Sequence, residues 1–275
     1  MIISFSTVKP PVTPFSGSVN AKKESRSAET ILSFATNTAA AAAMANLDSD
    51  IQPTMDPTDI ASIHNAMDKT LLFNPAAKAA IDVACYDIIG KKAGLPVHKL
   101  LGANTVSLQT DITIGIDTID EMVKECVERV GEGFRILKIK CGIDPKKDIE
   151  VLRQIRAAVG DKIDLRIDIN QGYDIATALY VLNEIEKFNI SEAEQPLPYW
   201  DVHGMAQIKK LSPIPIMADE SVHTPEQARI VCEHDAAEIL NIKFMKCGGI
   251  YKALQISDIA SEFGKRSIPT KTGFR

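Results

Sequence analysis

From about residue 106 onward, short apolar runs alternate with helical patterns at intervals of roughly 25 residues. The runs cover 107–116, 136–141, 165–169, 192–194, 215–218 and 239–242, and the helical patterns between them include 147–159 and 175–188. Strand alternating with helix demands a parallel sheet, because parallel neighbours need a crossover segment to return the chain to the same edge. Six such units favour a (β/α) TIM-type barrel over an open doubly wound sheet. No GxGxxG turn follows any strand, which argues against a dinucleotide fold. In such a barrel the chemistry sits at the C-terminal ends of the strands.

Those ends carry charge. Strand two ends in Lys138-Ile139-Lys140, strand three in Asp168-Ile169-Asn170, and strand four in Glu194-Gln195-Pro196. Strand five ends in Asp219-Glu220-Ser221 and strand six in Asn241-Ile242-Lys243. Lys140, Asp168, Glu194, Asp219 and Lys243 follow one another at 28, 26, 25 and 24 residues, one βα unit each. Period-two alternation puts Lys138 and Lys140 on one side of their strand, facing the barrel interior. Three converging carboxylates repel one another and are costly to desolvate, and a hard divalent cation such as Mg²⁺, which prefers oxygen ligands, removes that cost. Lysines beside such a site can exchange protons with a bound carbon acid. The charge of Lys138 is expected to lower the pKa of Lys140 and suit it to act as a base.

Any one of these residues alone is ordinarily a solvated surface group, and Asp168-x-Asn170 or Asp219-Glu220 alone would pass for turn formers. Only their joint register carries the reading. The remaining chemistry-bearing residues point elsewhere. His64, His98, His203, His223 and His234 are dispersed and read as surface or packing residues. Gly248-Gly249 reads as a tight turn into the next helix rather than a phosphate nest. Ser221 lacks a GxSxG context, which disfavours a hydrolase triad.

Composition narrows the rest. A net charge of −5 over 275 residues gives no basic footprint for nucleic acid or an anionic membrane surface. No apolar run is long enough to span a bilayer. Five scattered cysteines, an odd count without a CxxC pair, favour a reducing cytoplasm over disulfides or a zinc knot. Residues 1–8 alternate like a strand, Pro10, Pro11 and Pro14 follow, 30–36 suits a second strand, and 39–50 reads as a connector or short helix. Helices are expected from Asp56-Pro57 and from Asn74-Pro75, each a cap followed by proline at the first helical position. Gly94-Leu95-Pro96 stops the second.

Taken together, Leu137-Lys138-Ile139-Lys140, Arg166-Ile167-Asp168-Ile169-Asn170-Gln171, Glu194-Gln195-Pro196, Met217-Ala218-Asp219-Glu220-Ser221 and the run from Asn241 to Gly249 resemble the muconate-lactonising branch of the enolase superfamily, and within it the dipeptide epimerases of the Ala-Glu type. The stretch from Thr110 to Asp117 resembles their first barrel strand. The resemblance implies an N-terminal α+β capping domain over residues 1–105 and a catalytic (β/α) barrel over 106–275. It implies Lys140 and Lys243 as acid/base residues on opposite faces of the substrate, Asp168, Glu194 and Asp219 as Mg²⁺ ligands, and Lys138 and Thr113 as substrate contacts. Lys246 lies in the same motif, but Lys243 holds the position of the family base. The expected activity is racemisation or epimerisation of a carboxylate substrate, dipeptides first, through removal of the α-proton. The partners implied are small molecules, with neither nucleic acid nor membrane, and a homo-oligomer stays open.

The chain also departs from the pattern. The segment 39–50 replaces a longer glycine-containing section of the cap. The residues after Gly264 do not resemble a seventh strand, and nothing resembles the eighth, whose acidic motif holds the substrate ammonium in dipeptide epimerases. The barrel is therefore expected to be incomplete at its C-terminus and the chain truncated. Two alternatives follow: an inactive or association-only barrel fragment, and a cycloisomerase or o-succinylbenzoate synthase-type enzyme of the same superfamily.

Overall fold

The computed structural model describes residues 55–103 and 109–269. The strand and connector expectations placed on 1–8, 30–36 and 39–50 lie outside these residues. The described chain divides into two compact units.

The first unit combines residues 55–103 with 242–258. Helix α1 spans Ile60–Thr70 and buries Ile60, Ile63, His64 and Met67, the i, i+3, i+4, i+7 stripe of an amphipathic helix. It starts later than Asp56-Pro57 suggests. Asp56 accepts from the N–H and hydroxyl of Thr58 in a turn of its own, at 2.9 and 2.7 Å. Asp59 is the actual N-cap, accepting from Ser62 N at 3.1 Å. An Asx turn outcompetes a cap here because both satisfy the same local N–H groups. Helix α2 spans Pro75–Ala93, with Pro75 in its first turn and Gly94 closing it at φ 67°. A short α3, Val97–Leu100, follows. Ile60, Ile63, Met67, Cys85, Tyr86 and Ile250 form the core of this unit.

The second unit is a seven-stranded sheet with strands in sequential order. Its strands are β1 Ile112–Ile114, β2 Ile136–Lys140, β3 Asp164–Asp168, β4 Ile190–Glu194, β5 Ile216–Ala218, β6 Ile239–Ile242 and β7 Arg266–Pro269. The five pairs from β1 to β6 are parallel. The connecting helices are α4 Ile119–Gly131, α5 Pro145–Val159, α6 Ile175–Ile185, α7 Val202–Leu211 and α8 Pro225–Glu233; α9 Phe244–Cys247 and α10 Ile250–Glu262 come after β6. Thr118, Asp144, Asp174, Asp201 and Thr224 cap α4 to α8 in turn, each accepting a first-turn N–H. The five crossovers from β1 to β6 therefore begin with the same device.

Alternation splits β2 and β3 into two faces. Leu137, Ile139, Leu165 and Ile167 are buried as apolar residues, while Lys138, Lys140, Arg166 and Asp168 share the opposite face. Val151, Leu152 and Ile155 of α5 and Val181, Leu182 and Ile185 of α6 are likewise almost fully buried. Truncating such a leucine to alanine costs about 2–5 kcal/mol, so this packing rigidly supports the charged face.

Two strand expectations are corrected. Of the expected first strand 107–116, residues 109–116 are described, and among them only Ile112–Ile114 are strand. A seventh strand does form, with Arg266 N donating to Glu238 O at 3.0 Å beside β6. Its four residues, Arg-Ser-Ile-Pro, hold one aliphatic side chain, so no period-two pattern marks them in sequence. A closed barrel of this kind has eight strands; seven are present among the described residues.

Candidate active site

The strand register brings the charged ends level. Lys140 pairs with Asp168, and Asp168 with Glu194, across β2, β3 and β4. Lys138 Nζ lies 3.0 Å from Asp168 Oδ2 and 2.5 Å from Glu194 Oε2. Lys140 Nζ reaches the same Asp168 oxygen at 2.8 Å and Asn170 Oδ1 at 2.5 Å. Two ammonium groups thus rest on one carboxylate that is 1% exposed. Lys138 is buried, whereas the side chain of Lys140 is about one third exposed, at 31%. The deeper lysine is a fixed counter-charge, and the shallower one can meet a molecule from solution.

Glu194 also accepts from Asn241 Nδ2 at 2.8 Å. Asp219 follows β5 and is 1% exposed, its N–H donating to Gln195 Oε1 at 2.9 Å. Gln195 is fully buried and binds four groups: it accepts from the N–H of Asp219 and Ser221 and donates to Leu197 O and Ser221 Oγ. It fixes the β4 and β5 ends against each other. Ser221 Oγ in turn donates to Tyr199 O, a scaffolding role. Asn170, Gln171 and Gln195 have φ of 46°, 69° and 39°. Left-handed backbone at non-glycine positions is strained and held only by surrounding contacts, and it concentrates at functional sites.

Thr113 stands beside Lys138 in the β1–β2 register and is exposed. Lys243 directly follows β6 and is half-buried; it opens α9, its carbonyl accepting from Lys246 N and Cys247 N at 2.8 and 3.0 Å. Lys138, Lys140, Asp168 and Glu194 are therefore brought into direct contact, with Asp219 at the next strand end.

The electrostatics follow from burial. Burial pushes the Glu194 carboxyl up to about 7, with Lys138 opposing and the negative charges of Asp168 and Asp219 adding to the rise. Lys138 is lowered by burial, but Glu194 and Asp168 outweigh that and hold it above its ordinary value. Among the described residues no three His, Cys, Asp or Glu side chains form a ready metal cage. Two of the three carboxylates are instead held on the Lys138 ammonium. The donor set still suits a hard cation: three buried carboxylates on adjacent strand ends, one of them retaining its proton near neutrality because it is buried, with anionic neighbours adding to the effect.

A second charged layer lies one alternation below. Arg166 Nη1 is 3.2 Å from Glu192 Oε1, and its Nε is 3.3 Å from Asp164 Oδ2. Arg166 and Glu192 stand two residues before Asp168 and Glu194, one alternation in from the strand ends. Of the histidines, His64 is buried against Asp82, and His203 and His234 stack edge-to-face at 4.7 Å on the surface.

Comparison with known proteins agrees with this geometry. Residues 121–273 match the model of the enolase C-terminal domain-like family, and 18–102 match the N-terminal domain of the mandelate racemase / muconate lactonizing enzymes. An L-Ala-D/L-Glu epimerase of Clostridium acetobutylicum is 43% identical over 76% of this chain and 59% of its own length. A hydrophobic dipeptide epimerase of Enterococcus faecalis is 41% identical over the same shares. The chain thus spans about three fifths of the length of these curated relatives. The crystal structure of a dipeptide epimerase from Cytophaga hutchinsonii, complexed with Mg and D-Ala-L-Val, superposes with a TM-score of 0.81 at 34% identity, covering 84% of this chain and 62% of that one. With both family models matched and relatives at such identity, the chain belongs to the mandelate racemase / muconate lactonizing enzyme branch of the enolase superfamily.

Proposed function

We propose that this chain carries the proton-transfer site of a Mg²⁺-dependent racemase or epimerase, with dipeptides as substrates. Residues 1–105 serve as its capping domain and 106–275 as its catalytic barrel. The observation that carries the reading is the convergence of Lys138 and Lys140 on the carboxylates of β3 and β4.

Asp168, Glu194 and Asp219 are the residues that would hold Mg²⁺. When bound, the metal supplies positive charge against which a substrate carboxylate can rest and gain negative charge. The rest falls to the chain. Lys138 is a permanent cation beside the carboxylates and favours an anionic substrate head group. Lys140, reachable from solvent, takes or returns the α-proton on one face. Lys243, at the end of β6, serves the opposite face. Thr113, exposed beside Lys138, contacts the substrate. A proton leaving one face and returning on the other inverts the centre, which is epimerisation. Dipeptide substrates are favoured over cycloisomerisation because the related dipeptide epimerases are 34–43% identical to this chain, against 29% for a muconate lactonizing enzyme.

Chiral chromatography of a dipeptide panel incubated with the protein and Mg²⁺ tests the reading. Conversion of an L,L-dipeptide to its epimer, abolished by chelation and by Lys140→Ala, is expected. Conversion of a muconate-type diacid with no dipeptide turned over would replace it with the cycloisomerase reading.

A further inference from the structure

Asp82, on α2 of the helical unit, is fully buried. Its carboxylate accepts from His64 Nε2 at 2.7 Å, Ile250 N at 2.5 Å and Tyr251 N at 3.2 Å. Ile250 and Tyr251 open α10, and first-turn N–H groups have no partner inside their own helix. Asp82 therefore caps α10 from 168 positions away. Gly249 permits the approach: its φ is 117°, and a Cβ there would overlap the Asp82 carboxylate. Nearby, Asp68 joins the two helices, accepting from Lys78 and Lys252 at 2.7 Å each.

The segment so anchored begins at Lys243. Gly249 N and Gly248 N donate to Phe244 O at 2.9 Å, and Cys247 N donates to Lys243 O at 3.0 Å. An unbroken path of hydrogen bonds and short backbone turns runs from the Asp82 carboxylate to the Lys243 backbone. We infer that Asp82 is a positioning residue for Lys243, fixing from the helical unit the segment that carries the second base. The role rests on the two-base reading above. Its physical basis is that a carboxylate offers only acceptors to its three donors, whereas an amide would turn an N–H toward one of them. A proton-transfer group displaced by a fraction of an ångström to 1 Å loses much of its rate.

Two measurements on the full chain test this. In hydrogen–deuterium exchange followed by mass spectrometry, Asp82→Asn should speed exchange of residues 244–251 at least about tenfold, as loss of a cap does, while 136–140 stay unchanged. In D₂O with Mg²⁺, the epimer whose α-proton exchange disappears in Lys243→Ala should also be the one slowed in Asp82→Asn, at least about tenfold more than its partner epimer. If Asp82→Asn does not fold, Gly249→Ala poses the same question by forcing the segment off the carboxylate. Unchanged protection of 244–251, or equal slowing of both epimers, overturns the inference. Absence of α-proton exchange in the unmodified chain would sink the two-base reading and with it the role of Lys243; amide protection would still show separately whether Asp82 holds the segment.

Discussion

Glu194 and Lys138 form the tightest point of the charged ring, and their chemistry gives the first predictions. In the fold, Glu194 holds its proton up to a pH of about 7, against an ordinary value of 4.5. The folded chain therefore binds that proton more tightly than the unfolded chain. This group's contribution to stability is greatest at acid pH and declines as the pH rises from 4.5 toward 7. A metal must displace the same proton, so Mg²⁺ affinity should fall about tenfold for each pH unit below about 7. Calorimetric titrations at pH 8, 7 and 6 check this, and a flat profile would remove Glu194 from the ligand set. Lys138→Met leaves Asp168 and Glu194 buried without their shared cation. Breaking a buried ion pair costs about 3–5 kcal/mol. Urea unfolding should show a loss of that order without metal and partial recovery with Mg²⁺. A loss below about 1 kcal/mol would mean that the carboxylates are already compensated by other groups.

At the scale of elements, the loops after β2 and β3 hold the lysines and carboxylates in place. Gly142 has φ 103°, and a Cβ there would overlap Ile169 O; Gly172 lies against Gly142 in turn. Asp148 accepts from Gly142 N at 2.9 Å and from Tyr173 Oη at 2.5 Å, locking the two loops together. Gly142→Ala combines left-handed strain with a steric clash and should destabilise by about 1–3 kcal/mol, measured by chemical denaturation; no change would show that the loop moves freely. This knot explains what the sequence could and could not reveal. Lys138, Lys140, Asp168, Glu194 and Asp219 were legible because the βα period fixes their register. Asn170 and Gln171 sit in a motif, but their left-handed backbone leaves no trace in composition. Gln195 reads as an ordinary polar residue, since its four partners come from the end of β5 and the loop after β4. Strand β7 leaves no mark in the sequence, because one isoleucine between serine and proline carries no alternation. The start of α1 is ambiguous in the sequence because Asp56 and Asp59 are equally good cap residues, and only the Thr58 contact separates them.

Among the described residues, one unit is a sheet of seven strands with charged strand ends, and the segment from Lys243 to Gly249 belongs to the helical unit. No helix among the described residues is long and apolar enough to cross a membrane. At this scale the claim is that lysines and carboxylates on successive strands act as one proton-transfer device. Deuterium incorporation at the α-carbon of L-Ala-L-Glu, followed by ¹H NMR in D₂O, addresses it most directly. The protein with Mg²⁺ should replace the α-proton with solvent deuterium. Lys140→Ala should abolish exchange from one epimer and Lys243→Ala from the other, with Mg²⁺ binding retained in both. Exchange that persists from both epimers in either variant, or that proceeds equally well without metal, would contradict the assignment.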